Sequence, residues 1–230
     1  MKLYFDCTSG ISSDMILNAL IGLGGGVGQA DNLKLPEHVR DSQKDHSGDH
    51  SHDHGHHHSH RSHKEIKALI ESSELDAEIK QTMLSIYQVI AGGEAKVHGS
   101  TVEEVHFHEV GRDQAIRNIA GIAAALKSLS VTEIYCSEIH DGKGFIECSH
   151  GTIPVPVPAV MAMRENCDYK FVTDDIETEM VTPSGLGILM GIGARYREDL
   201  PQGKIVKTAA AKGGRDTGKE GLKAFLIQGE

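Results

Sequence analysis

Val105-His106-Phe107-His108-Glu109-Val110-Gly111 decides how this chain is read, because an extended run there passes into a glycine turn and then into a helix. Ile116, Ile119, Ala123, Leu126 and Leu129 follow at helical spacing. Alternate side chains of a strand share a face, so His106 and His108 are predicted to stand side by side while Phe107 points into the core. Strand-to-helix turns are where polar sites of α/β folds gather. Two neutral imidazoles and the Glu109 carboxylate suit nickel, zinc or copper, with His98 upstream or a distant loop supplying a third ligand. The competing reading is that one histidine is a satisfied core or turn residue.

The same strand, turn and helix grammar opens the chain. Leu3 to Phe5 reads as a short buried strand, and Met15, Ile16, Ala19, Leu20 and Leu23 recur at helical spacing after a hydroxyl-rich turn. Ser12 or Ser13 would cap that helix. Its free N–H groups, with the hydroxyls of Thr8, Ser9 and Ser12, would seat a phosphate or carboxylate, and Asp6 and Asp14 could hold a cation beside it. No Gly-Lys-Ser/Thr follows, so this is not a nucleotide-binding Walker loop, and an ordinary capped helix start is an equal reading. Ile66, Leu69 and Ile70 mark another helix, and Ile79, Met83, Ile86 and Ile90 a third. Gly92-Gly93 is predicted to close the third, leaving 94–99 as a loop.

Val131 to Cys136 is apolar enough for a buried strand. Residues 141–151 read as a glycine turn, a strand and a second turn that carries His150. Ile153-Pro154-Val155-Pro156-Val157-Pro158 must be extended or polyproline-like, because alternate residues lack an N–H, and so stiff a segment can wall a pocket beside His150 or serve as a plain connector. Thr182 as cap and Pro183 at the first helical position specify a helix start beside Ser184, whose exposed N–H groups offer a second anion seat. Residues 212–216 read as a flexible basic turn without a site, and Leu222 to Ile227 as a final strand. These elements predict an α/β fold, a mixed sheet with flanking helices, with 1–230 as a single domain interrupted by one insert.

That insert is 41–63, where nine of 23 residues are histidine: His46, His50, His52, His54, His56, His57, His58, His60 and His63. The remainder is mostly Asp, Ser and Gly, which leaves nothing to bury, so the tract is expected to be disordered. Most imidazoles are neutral at pH 7 and bind borderline metal ions without first losing a proton. Capture of nickel or zinc is the functional reading, and a solvated linker rich in histidine the plain one.

Composition narrows the partners. The 230 residues are 39% hydrophobic, enough for a core, and carry a net charge of -10 with a pI near 5.8. Basic residues form no long run and there is no Trp, which argues against nucleic acid or an anionic membrane as partner. No apolar run approaches membrane-span length, so a cytoplasmic protein is expected. Cys7, Cys136, Cys148 and Cys167 form no C-x-x-C pair and are expected as reduced thiols. Self-association is left open.

Six blocks then occur in a specific order: D-C-x-S-G-I-S at 6–12, the His-rich insert, E-A-K-V-H-G at 94–99, V-H-F-H-E-V-G at 105–111, H-G-x-I-P-V-P-x-P-A at 150–159 and V-T-P-S-G at 181–185. Together the chain resembles the nickel-insertion proteins of nickel-pincer cofactor biosynthesis, the LarC type. The resemblance implies Ni2+ binding and its insertion into pyridinium-3,5-bisthiocarboxylic acid mononucleotide, with consumption of CTP and with Mg2+ or Mn2+. It implies a nickel insertase of the lyase class, and the alternative is a non-catalytic nickel store or metallochaperone. The working site would comprise Asp6, Ser9, His98, His106, His108, Glu109 and His150, with Asp6, Ser9 and Glu109 as catalytic groups and Ser12, Thr182 and Ser184 at the substrate. Three departures stand out. Ser13 replaces a glycine; Gln114 and Asn118 replace two aspartates of the following helix, which would weaken Mg2+ or CTP handling. Family members continue into a second domain beyond about Glu230, which would make this the amino-terminal portion and a carboxy-terminal subunit its partner.

Overall fold

The structure, a computed structural model, describes residues 1–35, 61–148 and 151–229. His46, His50, His52, His54, His56, His57, His58, His60 and His150 lie outside the described residues. In chain order the elements are β1 (Lys2–Asp6), α1 (Ser13–Gly22), a 3-10 turn (Gly28–Asn32), β2 (Arg61–Ser62), α2 (His63–Ser72), α3 (Ala77–His98), β3 (His106–Phe107) and α4 (Asp113–Ser128). Then follow β4 (Glu133–Cys136), β5 (Ile139–Asp141), β6 (Gly144–Cys148), β7 (Gly151–Val155), α5 (Pro158–Arg164), β8 (Phe171–Thr173), α6 (Pro183–Gly191), β9 (Arg195–Tyr196), β10 (Lys204–Ala211) and β11 (Leu222–Gln228).

A mixed five-stranded sheet, ordered β10-β11-β1-β4-β9, forms one layer and helices flank it, the α/β arrangement the sequence predicts. β1 lies in the middle, antiparallel to β11 (Leu3 opposite Leu226) and parallel to β4 (Phe5 opposite Cys136). A central strand is covered on both faces, which is why Leu3, Tyr4 and Phe5 are all buried rather than alternating. α1 lies on the β10–β11 side, its buried Met15, Ile16, Ala19 and Leu20 turned inward, and also packs against α4. Among the described residues no helix is long and apolar enough to cross a membrane.

α3 is the helix on which α2, α4, α5 and α6 converge. Its Ile79, Met83, Ile86 and Ile90 stripe is fully buried. α6 comes unusually close to it because Gly187 and Gly191 face Ile90 and Ile86; a Cβ on Gly191 would stand 2.5 Å from the Ile86 Cα. Asp141, 1% exposed, fixes the approach to α6: its Oδ1 accepts from the backbone N–H groups of Gly142, Met180 and Val181 at 2.8, 3.1 and 3.1 Å. Burial raises the Asp141 pKa, and those three N–H groups oppose the rise.

The structure corrects several expectations. Gly92-Gly93 does not close α3, which runs on to His98 and ends at Gly99 in the left-handed conformation (φ 60°). Gly93 serves packing instead, since a Cβ there would meet the Met163 Cγ of α5 at 2.7 Å. The His tract is not free up to residue 63. Arg61–Ser62 pairs antiparallel with His106–Phe107, and Ser62 with Glu65 forms a capping box that starts α2. His63 is buried, its Nδ1 3.1 Å from the Val102 carbonyl and its ring edge-on to Phe107, and burial lowers its pKa. β8, β9 and the edge strand β10, whose Ile205 and Val206 are exposed, complete the strands that hydrophobic patterning left unmarked.

Replacing Gly191 by Ala should lower unfolding stability by about 1–3 kcal/mol, because the methyl is driven into the Ile86 backbone rather than into a flexible side chain. Urea midpoints of wild type and variant measure this, and an unchanged midpoint would show that α6 can shift away without cost.

Candidate functional site

A solvent-open cleft of about 540 Å3 lies where the starts of α1, α4 and α6 meet the end of α3 and the β6–β7 hairpin. Ile146 and Ile153, opposite each other in the hairpin, line this cleft, as do Val157 and Pro158; the extended run ends there, since Pro158 begins α5. One wall carries Glu94, His98, His108 and Glu109. Because α3 continues past its glycine pair, Glu94 and His98 fall one turn apart on the same helix face, with carboxylate Oε2 and imidazole Nε2 3.5 Å apart. The His98 and His108 ring centroids are 5.9 Å apart.

The pair the structure assembles is therefore His98 with His108, rather than His106 with His108. The β3 ladder ends at Phe107, so alternation stops before it reaches His108, which sits on the bend ahead of α4. Phe107 is buried as expected and packs on Tyr87, whose hydroxyl donates to the Val110 carbonyl at 3.0 Å. His106 is exposed opposite Ser62, beside the Glu65 carboxylate, and is not part of the cleft wall. Among the described residues no three His, Cys, Asp or Glu side chains form a ready-made metal cage.

The amino-terminal turn divides in the same way. Ser12 caps α1, accepting from the Met15 N–H at 3.3 Å, and Ser12, Ser13 and Asp14 line the cleft. Asp6 and Ser9 do not. Asp6 Oδ1 accepts from the Thr8 backbone and hydroxyl at 3.1 and 2.7 Å, and Ser9 is buried. The expected joint cation site of Asp6 and Asp14 is thus not assembled: Asp14 Oδ1 accepts from the Asn118 amide at 2.6 Å, and Asn118 Oδ1 from the Gln114 amide at 2.8 Å. This hydrogen-bonded row of amides occupies the cleft wall where aspartates at 114 and 118 would stand beside Asp14.

Thr182 caps α6, with Oγ1 accepting from the Gly185 N–H at 3.0 Å and lying 3.1 Å from Ser184 Oγ; both line the cleft. The starts of α1 and α6 are held side by side. Ile11 donates to the Met180 carbonyl at 2.8 Å and Thr182 donates to the Ile11 carbonyl at 3.1 Å. Two further cleft residues come from stretches that sequence patterning left without a role. Arg215, in the 212–216 turn expected to hold no site, donates from Nη2 to Glu179 Oε2 at 2.9 Å. Glu179 is 7% exposed; burial lifts its pKa to about 7, Arg215 opposes the rise, and the nearby Glu109 and Asp141 charges add to it. Arg112 Nε donates to the His108 carbonyl at 3.3 Å, tying the histidine bend to α4.

Fold and cleft define an α/β protein whose open cleft brings imidazole and carboxylate groups together with guanidinium and hydroxyl groups. The family model described as nickel insertion protein matches residues 3–229. The chain is 39% identical over 94% of its length to the pyridinium-3,5-bisthiocarboxylic acid mononucleotide nickel insertion protein of Acetivibrio thermocellus, and 33% identical over 99% of its length to the protein of that name from Alkaliphilus metalliredigens. A putative nickel insertion protein of Maridesulfovibrio salexigens is 38% identical over 93% of the chain. The alignments span 58%, 60% and 60% of those relatives, so the chain covers about three-fifths of their length. No solved structure matches. The chain belongs to the nickel insertion protein family.

Because Glu179 holds its proton more tightly folded than unfolded, the stability it contributes is complete below about pH 4.5 and is lost as pH rises through about 7. Glu179→Gln keeps an acceptor for Arg215 but cannot titrate. Its unfolding midpoint should therefore fall less than that of wild type between about pH 5 and about pH 8. Parallel pH profiles would show the carboxyl to be innocent.

Proposed function

We propose that this chain binds nickel and delivers it into pyridinium-3,5-bisthiocarboxylic acid mononucleotide, the molecule in the names of its relatives. The observation that carries the reading is the His98–His108 pair with Glu94, set in a cleft large enough for a mononucleotide. An ion that must leave needs such donors. Imidazole and carboxylate hold Ni2+ without the near-irreversibility of a four-thiolate site, so the two thiocarboxylate sulfurs of the substrate can displace them. Closing the pincer also forms a nickel–carbon bond, which releases the proton of that ring carbon. Glu109 on the cleft wall is our assignment for the carboxylate that takes it. Ser12, Thr182 and Ser184 face the anionic part of the substrate.

The His tract gathers nickel in this scheme, and its described end supports that role. Arg61, 7% exposed, donates to the Gly111 carbonyl at 2.8 Å and pairs with Asp113 at 2.6 Å, which pins the tract to the loop that carries His108. Consumption of CTP with Mg2+ or Mn2+ we assign to the assembly with a carboxy-terminal partner. In this cleft the Asp14 carboxylate is engaged by the Asn118 amide, itself bonded by Gln114, rather than paired with a second carboxylate. The competing reading, a nickel store or metallochaperone without insertion, rests on the tract.

Transfer of nickel to the apo-cofactor, assayed with and without CTP and a supplied carboxy-terminal partner, tests the proposal. His98→Ala with His108→Ala should lower transfer by about tenfold or more, while His106→Ala stays close to wild type. Deleting 41–63 would also remove Arg61–His63, so the tract is tested by deleting 41–58 alone. Activity should then survive at high nickel and fall at low nickel. Loss at every nickel concentration would favour the store, and an active His98/His108 double variant would remove the cleft from the mechanism.

A further inference from the structure

The 212–216 turn reaches the cleft through Arg215, and nothing in its glycine-rich sequence announces a role. A Cβ on Gly213 would lie 3.1 Å from the Met15 sulfur and 3.7 Å from the Ser12 hydroxyl, so the turn is laid directly on the beginning of α1. Arg215 is held there by one bond, Nη2 to the buried Glu179 carboxylate, while its side chain remains 46% exposed. A guanidinium has five N–H donors in a planar fork and matches the geometry of phosphate oxygens. Anchored by a buried acid and still open to the cleft, it is oriented before any ligand arrives, which reduces the ordering cost of binding.

The carboxylates of this corner are already engaged: Glu179 by Arg215, and Asp14 by the Asn118 amide. Ser12, Ser13, Thr182 and Ser184 bring hydroxyls to the same cleft, from two helix starts that run side by side. The imidazole wall, by contrast, carries Glu94 and Glu109. The cleft thus sets His98, His108 and Glu94 together at one place and, near the joined helix starts, a guanidinium fork with hydroxyls.

We infer that Arg215 is the specificity-determining residue for a phosphate monoester, reading the 5′-phosphate of a pyridinium mononucleotide and rejecting the corresponding riboside. This deepens the proposed function and rests on it for the identity of the substrate, while the binding event itself needs no nickel. Glu179 is a positioning residue that orients the fork.

The test uses the intact chain without metal and nicotinate mononucleotide as probe, a pyridinium carboxylate with the same phosphate and no sulfur, against nicotinate riboside. Wild type should bind the mononucleotide at least about tenfold more tightly than the riboside by calorimetry. Arg215→Ala should remove most of that preference without changing riboside affinity, and Arg215→Lys should restore it in part, since a point charge replaces the fork. Unfolding midpoints confirm that each variant folds. Equal binding of the two probes by wild type, no binding of the mononucleotide, or an unaltered preference in Arg215→Ala would each overturn the assignment. If the phosphate preference holds while nickel transfer fails, the nickel reading falls and Arg215 stands; if transfer proceeds with an unchanged KM in Arg215→Ala, Arg215 falls alone.

Discussion

The cleft depends on one backbone contact far apart in sequence, between Ile11 and the 180–182 segment. The residues around it must be nearly bare for the two chains to meet. Gly10 adopts φ 83° and a Cβ on it would stand 2.3 Å from the Met180 carbonyl; a Cβ on Gly185 would stand 2.3 Å from the Ile11 carbonyl. With both positions open, Ile11 and Val181 form a short parallel bridge, and the helices that follow each begin beside the other. Asp141 secures the same segment from beneath by binding the N–H groups of Met180 and Val181. A carboxylate buried to this degree is costly unless hydrogen-bonded, and it is tolerated because it satisfies three donors that would otherwise be stranded.

Much of the architecture was legible from periodicity. The buried stripe of α3, the caps at Ser12 and Thr182, and the final strand all follow from local chemistry that tertiary structure leaves intact. What misled was residue type taken at face value. Gly92-Gly93 looks like a helix stop, yet a glycine inside a helix also marks the place where another helix presses close, and Met163 does so at Gly93. The error mattered for the site, because only a continuous helix puts Glu94 and His98 on one face. Ser62-His63-Lys64-Glu65 carried a readable S-x-x-E helix-start signature that the surrounding histidines obscured.

The site was half visible for a different reason. Residues that act through spacing along one element, such as Thr182 with Ser184, can be found in sequence. Residues that act across elements cannot: nothing local links Arg215 to Glu179, 36 positions earlier, or His98 to a histidine beyond an intervening loop. Alternation through Val105 to Val110 was a sound rule applied past the end of its strand. The amide row from Gln114 to Asp14 likewise became meaningful only once α1 and α4 were seen to pack, since it runs two neutral amides onto a carboxylate of the other helix.

The short pairing of Arg61–Ser62 with His106–Phe107 fixes where the described end of the histidine tract enters the fold. That pairing joins the described end of the tract, Arg61–His63, to the strand that leads into His108. Capacity and chemistry are thereby separated. On the proposed function, histidines could be gained or lost upstream of the buried arginine, altering how much metal the tract gathers, without changing the residues of the cleft wall. On that proposal, a lineage facing scarce nickel could lengthen the tract while leaving the cleft as it was.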